Sequence, residues 1–437
     1  MLMVLKPIDT VQPNTAEDSE KKLKNISRVI CVVVLTALLC GISSGLLMML
    51  LHFVAHSAWK YSDGTLIVAI GNEKIRYRMM IFVVNGLFVG VCKLLTSRLI
   101  PGETSIAGAI WKGKNLDFLP SFFKSIISII AIALGCSLGR EVAPQLVGAA
   151  VASEMHKFFS QKFQFLSDNH RPLLVAIGAG CSFAAVYQVP LGGALLTLEI
   201  WLGSLSRQNS IVVIIGCCLA AFTGTFLDLV VPYSVSLTTQ MPYIIIPAIL
   251  IGITNGFLFT GYVRAVQLLD PLKPKASWQI ALYPMVALTI LGGLCIPYPE
   301  LAGNGSNLSQ MLFSETVSWD FLAAMFFLKP FVIFLCLTSG TPGGLFTPTF
   351  TCGAIVGGIL GKACAYFLPA ISVQTCAFLG AASAIAVSLQ APLAALGLTL
   401  ELVQDFSSVT PVMFASSIGL LISRYFKSPS TYTARKE

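Results

Sequence analysis

The chain reads as an all-α integral membrane protein assembled from two related halves of partly broken helices. Three observations predict this. Of its 437 residues 55% are hydrophobic and only 11% charged, against about 25% charged in soluble domains, and the mean hydropathy is +0.81. Apolar stretches recur along the whole length. The second half also repeats polar punctuation found in the first.

The stretches of spanning or near-spanning length are residues 29–51, 79–95, 123–138, 173–202, 211–231, 244–262, 280–296, 321–337, 350–367, 376–403 and 409–422. A helix needs roughly 20 apolar residues to cross a bilayer. Several of these stretches fall short or are interrupted by Gly and Pro, so broken helices are expected. Residues 1–24 are polar, and the first apolar run lacks a short core followed by a small-residue cleavage site, which predicts a first transmembrane helix and no cleaved signal. Lys21, Lys22, Lys24 and Arg28 precede that helix, and Arg424, Lys427, Arg435 and Lys436 follow the last one. The positive-inside rule then puts both termini in the cytoplasm, with Lys74, Arg76 and Arg78 as a competing basic loop.

Net charge is +8, but the basic residues are scattered over loops and tails and form no stripe, which argues against nucleic acid. Cys31, Cys40, Cys136, Cys181, Cys217, Cys218, Cys336, Cys364 and Cys376 fall in or beside apolar runs without metal-ligand spacing and read as small packing residues. His52, His56, His156 and His170 show neither metal spacing nor a nucleophile partner. No metal and no cofactor is expected. An intramembrane enzyme would need a nucleophile with a base, or a metal pair, and the chain offers neither pattern. The sequons at Asn25, Asn304 and Asn307 read as matches of composition.

Residues 177–199 align without gaps on residues 379–401. Gln188-Val189-Pro190-Leu191 meets Gln390-Ala391-Pro392-Leu393, and both copies end in Leu-Thr-Leu-Glu, at Glu199 and Glu401. Gly41 and Gly45 are echoed by Gly252 and Gly256. Two repeats of about 200 residues follow: a tail 1–26, a first membrane repeat 27–235, a second 236–428 and a tail 429–437. Matching breaks in two halves point to a site where the halves meet, near the bilayer midplane. The candidates are 137–144 and 339–348, the second too rich in Gly and Pro to be mid-helix and read as a loop opening onto a helix N-terminus.

Inside the first break, Gly139-Arg140-Glu141 places charge at membrane depth, where an ionisable residue is a functional hypothesis by default. An anion crossing lipid needs its hydration replaced, yet a full counter-charge would hold it too tightly to release. Helix N-termini, with free N–H groups and about half a positive charge, meet both needs. Elsewhere Lys329, just before Pro330, is expected to snorkel or pair near an interface, and Asp228 and Asp405 to sit near water at the ends of apolar runs.

Gly139-Arg140-Glu141 with Pro144 close behind, Pro299-Glu300-Leu301-Ala302-Gly303-Asn304-Gly305, Gly343-Gly344-Leu345-Phe346-Thr347-Pro348 and the paired Pro-Leu segments together resemble the CLC family of chloride channels and proton/chloride exchangers, bacterial type, over residues 27–432. The resemblance implies about eighteen tilted and partial helices in two inverted repeats, a homodimer with one pore per subunit, and a multi-pass protein of the cell (inner) membrane. It further implies transport of chloride or other small anions across the lipid bilayer. No stretch after Tyr432 would hold the cytoplasmic nucleotide-sensing (CBS) domains of some relatives.

By resemblance Glu141 is the gate, an ionised carboxylate that competes with the anion and leaves on protonation. The implied anion-binding set is Gly139, Arg140, Gly344, Leu345, Phe346 and Tyr432, with the amides of Leu345 and Phe346 holding the anion and Arg140 bracing the loop. The alternative reading pairs Glu141 with Arg140 for structure alone. Three departures from the family bear on mechanism. Its anion-coordinating serine is replaced within 103–107, where matching Ile106 puts Thr104 at the serine position with Ser105 as the alternative, and an anion-binding hydroxyl stands level with an ordinary loop hydroxyl. Pro144 comes one residue late, which shifts the helix start without abolishing it.

The exchangers' inner proton glutamate falls on Ile200, which cannot carry a proton. Glu199 lies one residue earlier, about 100° around the helix, and its twin Glu401 favours a structural or water-organising role for both over proton relay. At the C-terminus Tyr432 is preferred to Thr431 as the pore hydroxyl, an unstructured terminal aromatic being the alternative. A channel-like or weakly proton-coupled transporter is thus expected, with a proton-coupled chloride or fluoride antiporter as the rival and a non-conducting membrane scaffold as the outlier.

Overall fold

The computed structural model describes residues 16–163, 166–227, 233, 235, 243–403 and 408–434, with the backbone alone at 16–26, 163, 433 and 434. Asp228, Asp405, Arg435 and Lys436 lie outside the described residues. The described chain is helical, and its one β-bridge joins Gly139 to Gly344.

The first half of the chain opens with α1 (Ala16–Trp59), α2 (Leu66–Asn72), α3 (Ile75–Leu99) and α4 (Ile106–Trp111). It continues through α5 (Phe118–Ala133), α6 (Val142–Phe163), α7 (Arg171–Tyr187), α8 (Pro190–Leu196) and α9 (Arg207–Thr225). The second begins with α10 (Ile245–Leu269), α11 (Ser277–Leu294), α12 (Ser306–Ser314) and α13 (Trp319–Thr338). After these come α14 (Phe346–Phe367), α15 (Val373–Leu389), α16 (Pro392–Val403), α17 (Val409–Tyr425) and α18 (Thr431–Ala434). Seven helices among the described residues are long and apolar enough to cross a membrane, while α5, α15, α16 and α17 are apolar but shorter. Many small α-helical pieces result from the Gly and Pro breaks read in the sequence.

The repeated residues occupy repeated places. Gln188 ends α7 and Gln390 ends α15, both in the left-handed region at φ 54° and 57°, and each is followed two residues later by the Pro that opens the next helix. Their side chains donate alike: Gln188 Nε2 to Ala185 O at 2.8 Å and Gln390 Nε2 to Val387 O at 2.7 Å. Gly148 meets Gly178 between α6 and α7, and Gly353 meets Gly380 between α14 and α15; a Cβ on Gly178 or Gly380 would stand 2.3 or 2.2 Å from the facing carbonyl oxygen. Gly41 and Gly45 let α1 lie against α9, as Gly252 and Gly256 let α10 lie against α17. Without a strong hydrophobic drive between helices in lipid, such close backbone approach is a principal source of packing energy.

The two repeats also hold each other. Glu401 Oε1 and Oε2 accept from Leu191 N and Gly192 N at 2.9 and 2.6 Å at the start of α8. Glu199 Oε2 accepts from Ala394 N at 2.8 Å at the start of α16. Each carboxylate thus satisfies orphan amides of the other repeat's helix.

Lys329 does not snorkel. Pro330 lies inside α13 instead of ending it, so Lys329 sits mid-helix with 0% exposure. Its ammonium donates to Ser137 Oγ at 3.0 Å, Leu301 O at 3.0 Å and Gly303 O at 3.3 Å, one acceptor for each of its three N–H bonds. These bonds tie the 137–144 loop to the 299–305 turn.

Candidate functional site

The site forms where the two predicted breaks cross. α5 stops at Ala133 and α6 begins at Val142, while α13 stops at Thr338 and α14 begins at Phe346. Pro144 falls in the first turn of α6 and Pro348 in the first turn of α14, where the missing N–H is harmless. The loops between meet as a short antiparallel pair: Gly139 N donates to Gly344 O at 2.8 Å and Gly344 N to Gly139 O at 2.7 Å. The N-terminus of a helix from each repeat is thereby brought to one spot.

Glu141 points into that spot and is 1% exposed. Its Oε1 accepts from Phe346 N at 2.7 Å, the length of a charge-assisted bond, and Tyr187 Oη donates to Oε2 at 3.4 Å. Tyr187 Oη is also 2.8 Å from Thr347 Oγ1. The Arg140 guanidinium lies over the Tyr187 ring, 5.5 Å from its centroid, so the arginine braces the tyrosine that faces Glu141. Phe346 is fixed edge-on against Phe183 at 5.3 Å.

The two bridging glycines leave room for the carboxylate. A Cβ on Gly344 would lie 1.7 Å from Glu141 Oε1, and one on Gly139 would lie 2.1 Å from Oε2. Both distances are far inside contact, so Gly344→Ala is expected to push the carboxylate off the Phe346 amide. A structure of the folded variant checks this, and a carboxylate still on the Phe346 amide would contradict it.

Beside the carboxylate lies a cavity of ≈ 50 Å³ lined by residues that include Ile106, Gln145, Trp201, Leu345, Phe346 and Tyr432. A water-sized species takes about 10–15 Å³ of such space, so a few small molecules or ions would fill it. Tyr432 Oη accepts from Gln145 Nε2 at 3.3 Å, and its ring meets the Trp201 ring edge-on at 5.0 Å. Tyr432 is therefore packed against the cavity and is no loose terminal aromatic.

Other sequence candidates stand apart. Thr104 Oγ1 accepts from Lys124 Nζ at 3.0 Å, and Ser105 Oγ accepts from Gly108 N at 2.8 Å as the cap of α4. The cavity wall is formed by the next two residues, Ile106 and Ala107. The loop is held by Glu103, which accepts from Ser105 N at 3.1 Å and from Lys114 Nζ at 2.6 Å; the Lys114 hydrogen bond holds the Glu103 carboxyl below its ordinary range. Glu199 is engaged with α16, and Ile200 packs partly buried against the apolar core. Tyr187, Gln145, Lys124 and Trp201 carry no signal of their own in the sequence, whereas Thr347 lies inside the 343–348 run. The four belong to no spaced motif, although Tyr187, Gln145 and Trp201 adjoin Gln188, Pro144 and Ile200.

With this geometry in view, the likenesses to known proteins are consistent. The family described as Voltage gated chloride channel matches residues 101–424, well over half of the chain. The voltage-gated ClC-type chloride channel ClcB of Escherichia coli O17:K52:H18 (strain UMN026 / ExPEC) is 26% identical over 383 residues, covering 85% of this chain and 89% of ClcB. The fold is similar to that of a slow cyanobacterial Cl−/H+ antiporter, with TM-score 0.78, 18% identity and coverage of 93% of this chain and 96% of that one. It is also similar to a CLC-type fluoride/proton antiporter, with TM-score 0.74, 17% identity and coverage of 97% and 100%. The chain is a multi-pass membrane protein of the CLC family of chloride channels and transporters, with that family's fold and its anion-transporting function.

Proposed function

We propose that this protein passes chloride through a pore in which the Glu141 carboxylate and the permeating anion take turns on the Phe346 amide. Transport is channel-like or weakly proton-coupled. The observation that carries this reading is the 2.7 Å hydrogen bond from Phe346 N to Glu141 Oε1 at the buried crossing of the two repeats. A carboxylate and a halide are both monoanions that accept N–H bonds, so a seat for one is a seat for the other. A helix N-terminus attracts either without a full counter-charge, which permits release. Protonation of Glu141 removes its charge and frees the seat.

Weak coupling is supported by the second half of the path. A proton relay needs a titrating group between Glu141 and the far solution, and Ile200 offers none. The neighbouring Glu199 carboxylate is committed to the Ala394 amide. Ile200→Glu alone is accordingly expected to leave the ratio of protons to chloride unchanged, because one new carboxylate on a partly buried helix face brings no connected water path to Glu141. Paired recordings of chloride efflux and proton uptake check this, and a new stoichiometric ratio in the variant would refute it.

The second reading, a proton-coupled chloride or fluoride antiporter, is supported by the shared fold of the chloride/proton and fluoride/proton antiporters above. Purified protein in liposomes separates the readings. Chloride efflux well above fluoride efflux, with substoichiometric proton uptake, supports the first; tight proton coupling, or fluoride favoured over chloride, supports the second. Vesicles silent to both anions would leave only a scaffold. The basic flanks of the first and last helices support cytoplasmic termini, and the assembly proposed is a homodimer with one pore per subunit.

A further inference from the structure

We propose that Tyr187 is a positioning residue of the gate, its hydroxyl, backed by Thr347, latching the ionised Glu141 carboxylate and so setting the pH at which the pore opens. The inference rests on the transport reading above and adds to it the element that tunes the gate. Tyr187 is the last residue of α7 and is 3% exposed. Its ring is packed against Phe183 at 4.9 Å and Phe346 at 5.8 Å, with the Arg140 guanidinium over it at 5.5 Å. In this fixed ring the Oη atom stands 2.8 Å from Thr347 Oγ1 and 3.4 Å from Glu141 Oε2. The Phe346 amide takes the other carboxylate oxygen, Oε1, so the gate is gripped at both oxygens. Position 187 matches Leu389 in the repeat alignment. Leu389 lines the cavity too but has no hydroxyl, so this latch belongs to the first repeat alone.

Counting hydrogens gives the direction of the effect. Tyr187 and Thr347 carry one hydroxyl hydrogen each, and the contact between them uses one. Thr347 Oγ1 has no further partner among the described residues, so the second hydrogen is left for Glu141 Oε2. When Thr347 donates to Tyr187 and Tyr187 donates to an ionised Glu141, both hydrogens are used. A neutral Glu141 that donates its own proton to Tyr187 turns Tyr187 toward Thr347, and the Thr347 hydrogen is then stranded. A carboxyl that swings away strands one hydrogen as well. A buried donor without an acceptor is costly, so the pair favours the ionised, seated gate, and opening is delayed to lower pH.

The other ionisable groups around the carboxylate are Arg140 on its own loop, Tyr233 and Tyr432 of α18, while His52 of α1 acts on Arg140. Arginine stays charged and tyrosine neutral through the acid range, so of these only His52 titrates beside the gate.

The test measures chloride efflux from proteoliposomes between about pH 3 and 7.5 for the full-length wild type and for Tyr187→Phe, which keeps the ring and loses only the hydroxyl. Half-activation should move up by about one pH unit, the equivalent of one hydrogen bond to a charge at the weak end of its range. The weak end applies because 3.4 Å is longer than the best O–H···O contact. A tyrosine that only packs would leave the profile in place. In a Glu141→Gln background the shift should vanish, because no carboxylate remains to titrate; a small pH dependence that persists there is the histidine's and is subtracted. If Tyr187→Phe fails to fold, a ring-monofluorinated tyrosine at position 187 keeps the shape and donates more strongly, so half-activation should move down. A folded protein of either kind with the wild-type midpoint overturns the latch alone, as does a shift in the opposite sense. Wild-type efflux that fails to rise in acid, or a Glu141→Gln protein with the wild-type profile, overturns the gate reading and the latch with it.

Discussion

Replacing Glu141 with glutamine is expected to raise chloride efflux near neutral pH by about ten- to a hundredfold and to flatten its dependence on acid. The size comes from the bond that is weakened. A hydrogen bond from a backbone N–H to a charged acceptor contributes roughly 1.5–3 kcal/mol, and each 1.4 kcal/mol is about a factor of ten in occupancy. Glutamine keeps the shape but presents a neutral oxygen to Phe346 N, so the anion displaces it more easily. The sign of the pH effect is set by the same carboxylate. On the proposed gating, loss of the Glu141 charge in acid frees the seat, so wild-type flux should rise as pH falls; an amide does not titrate, so the variant should be level. Efflux from proteoliposomes with an ion-selective electrode, between about pH 3 and 7.5 to bracket the ordinary carboxylate range, checks both parts. A variant that tracks the wild-type pH profile would remove Glu141 from the gate. In an antiporter the same substitution would instead abolish proton uptake while chloride still moved, so recording both ions keeps the two readings apart.

Where each contact lies along the chain decides how far the sequence discloses it. The repeat is legible because its markers do local work: Gln188 and Gln390 take a left-handed conformation at helix ends, and Pro190 and Pro392 open the next helices. The two breaks are legible because Gly and Pro in an apolar setting leave few other conformations. Glu141 stands out because charge at membrane depth is costly.

The contacts that complete the site join residues far apart in sequence and leave no period to read. Phe346 and Glu141 are 205 positions apart, and Gln145 and Tyr432 are 287 apart. Family resemblance supplies the first of these pairings; nothing local supplies Tyr187 or Trp201. Glu199 and Glu401 are visible as twins, but capping of the opposite repeat's helix emerges only once α8 and α16 are folded together. The Lys329 expectation fails for a related reason. Pro330 reads as a boundary in the sequence, yet a membrane helix tolerates internal proline when neighbours satisfy the freed carbonyls.

Lys329→Met is expected to be the most damaging single change outside the gate. It removes the donor from Ser137 Oγ, Leu301 O and Gly303 O together. Two effects oppose each other here. Burying an ammonium without a carboxylate partner is costly, and replacing buried charge by a well-packed apolar residue can stabilise a protein. Against that, stranded buried acceptors cost about 1–3 kcal/mol each, and two of the three are main-chain carbonyls that no substitution at position 329 can delete. The acceptors also belong to loops with little freedom to turn toward water, since Gly303 N is itself bonded to Gly135 O at 2.9 Å. The stranded acceptors should prevail, with a net loss on the order of 3 kcal/mol. Lys329→Arg should lose less, because it retains donors but must fit a larger head into a fully buried space. A thermal scan of purified protein decides the sign: a midpoint raised in Lys329→Met would mean that desolvation of the ammonium wins. The same scan with added chloride locates the effect. Ser137 opens the loop that carries Gly139 and Glu141, so a lysine that merely fills space would leave chloride stabilisation intact, whereas one that positions this loop would take the stabilisation with it.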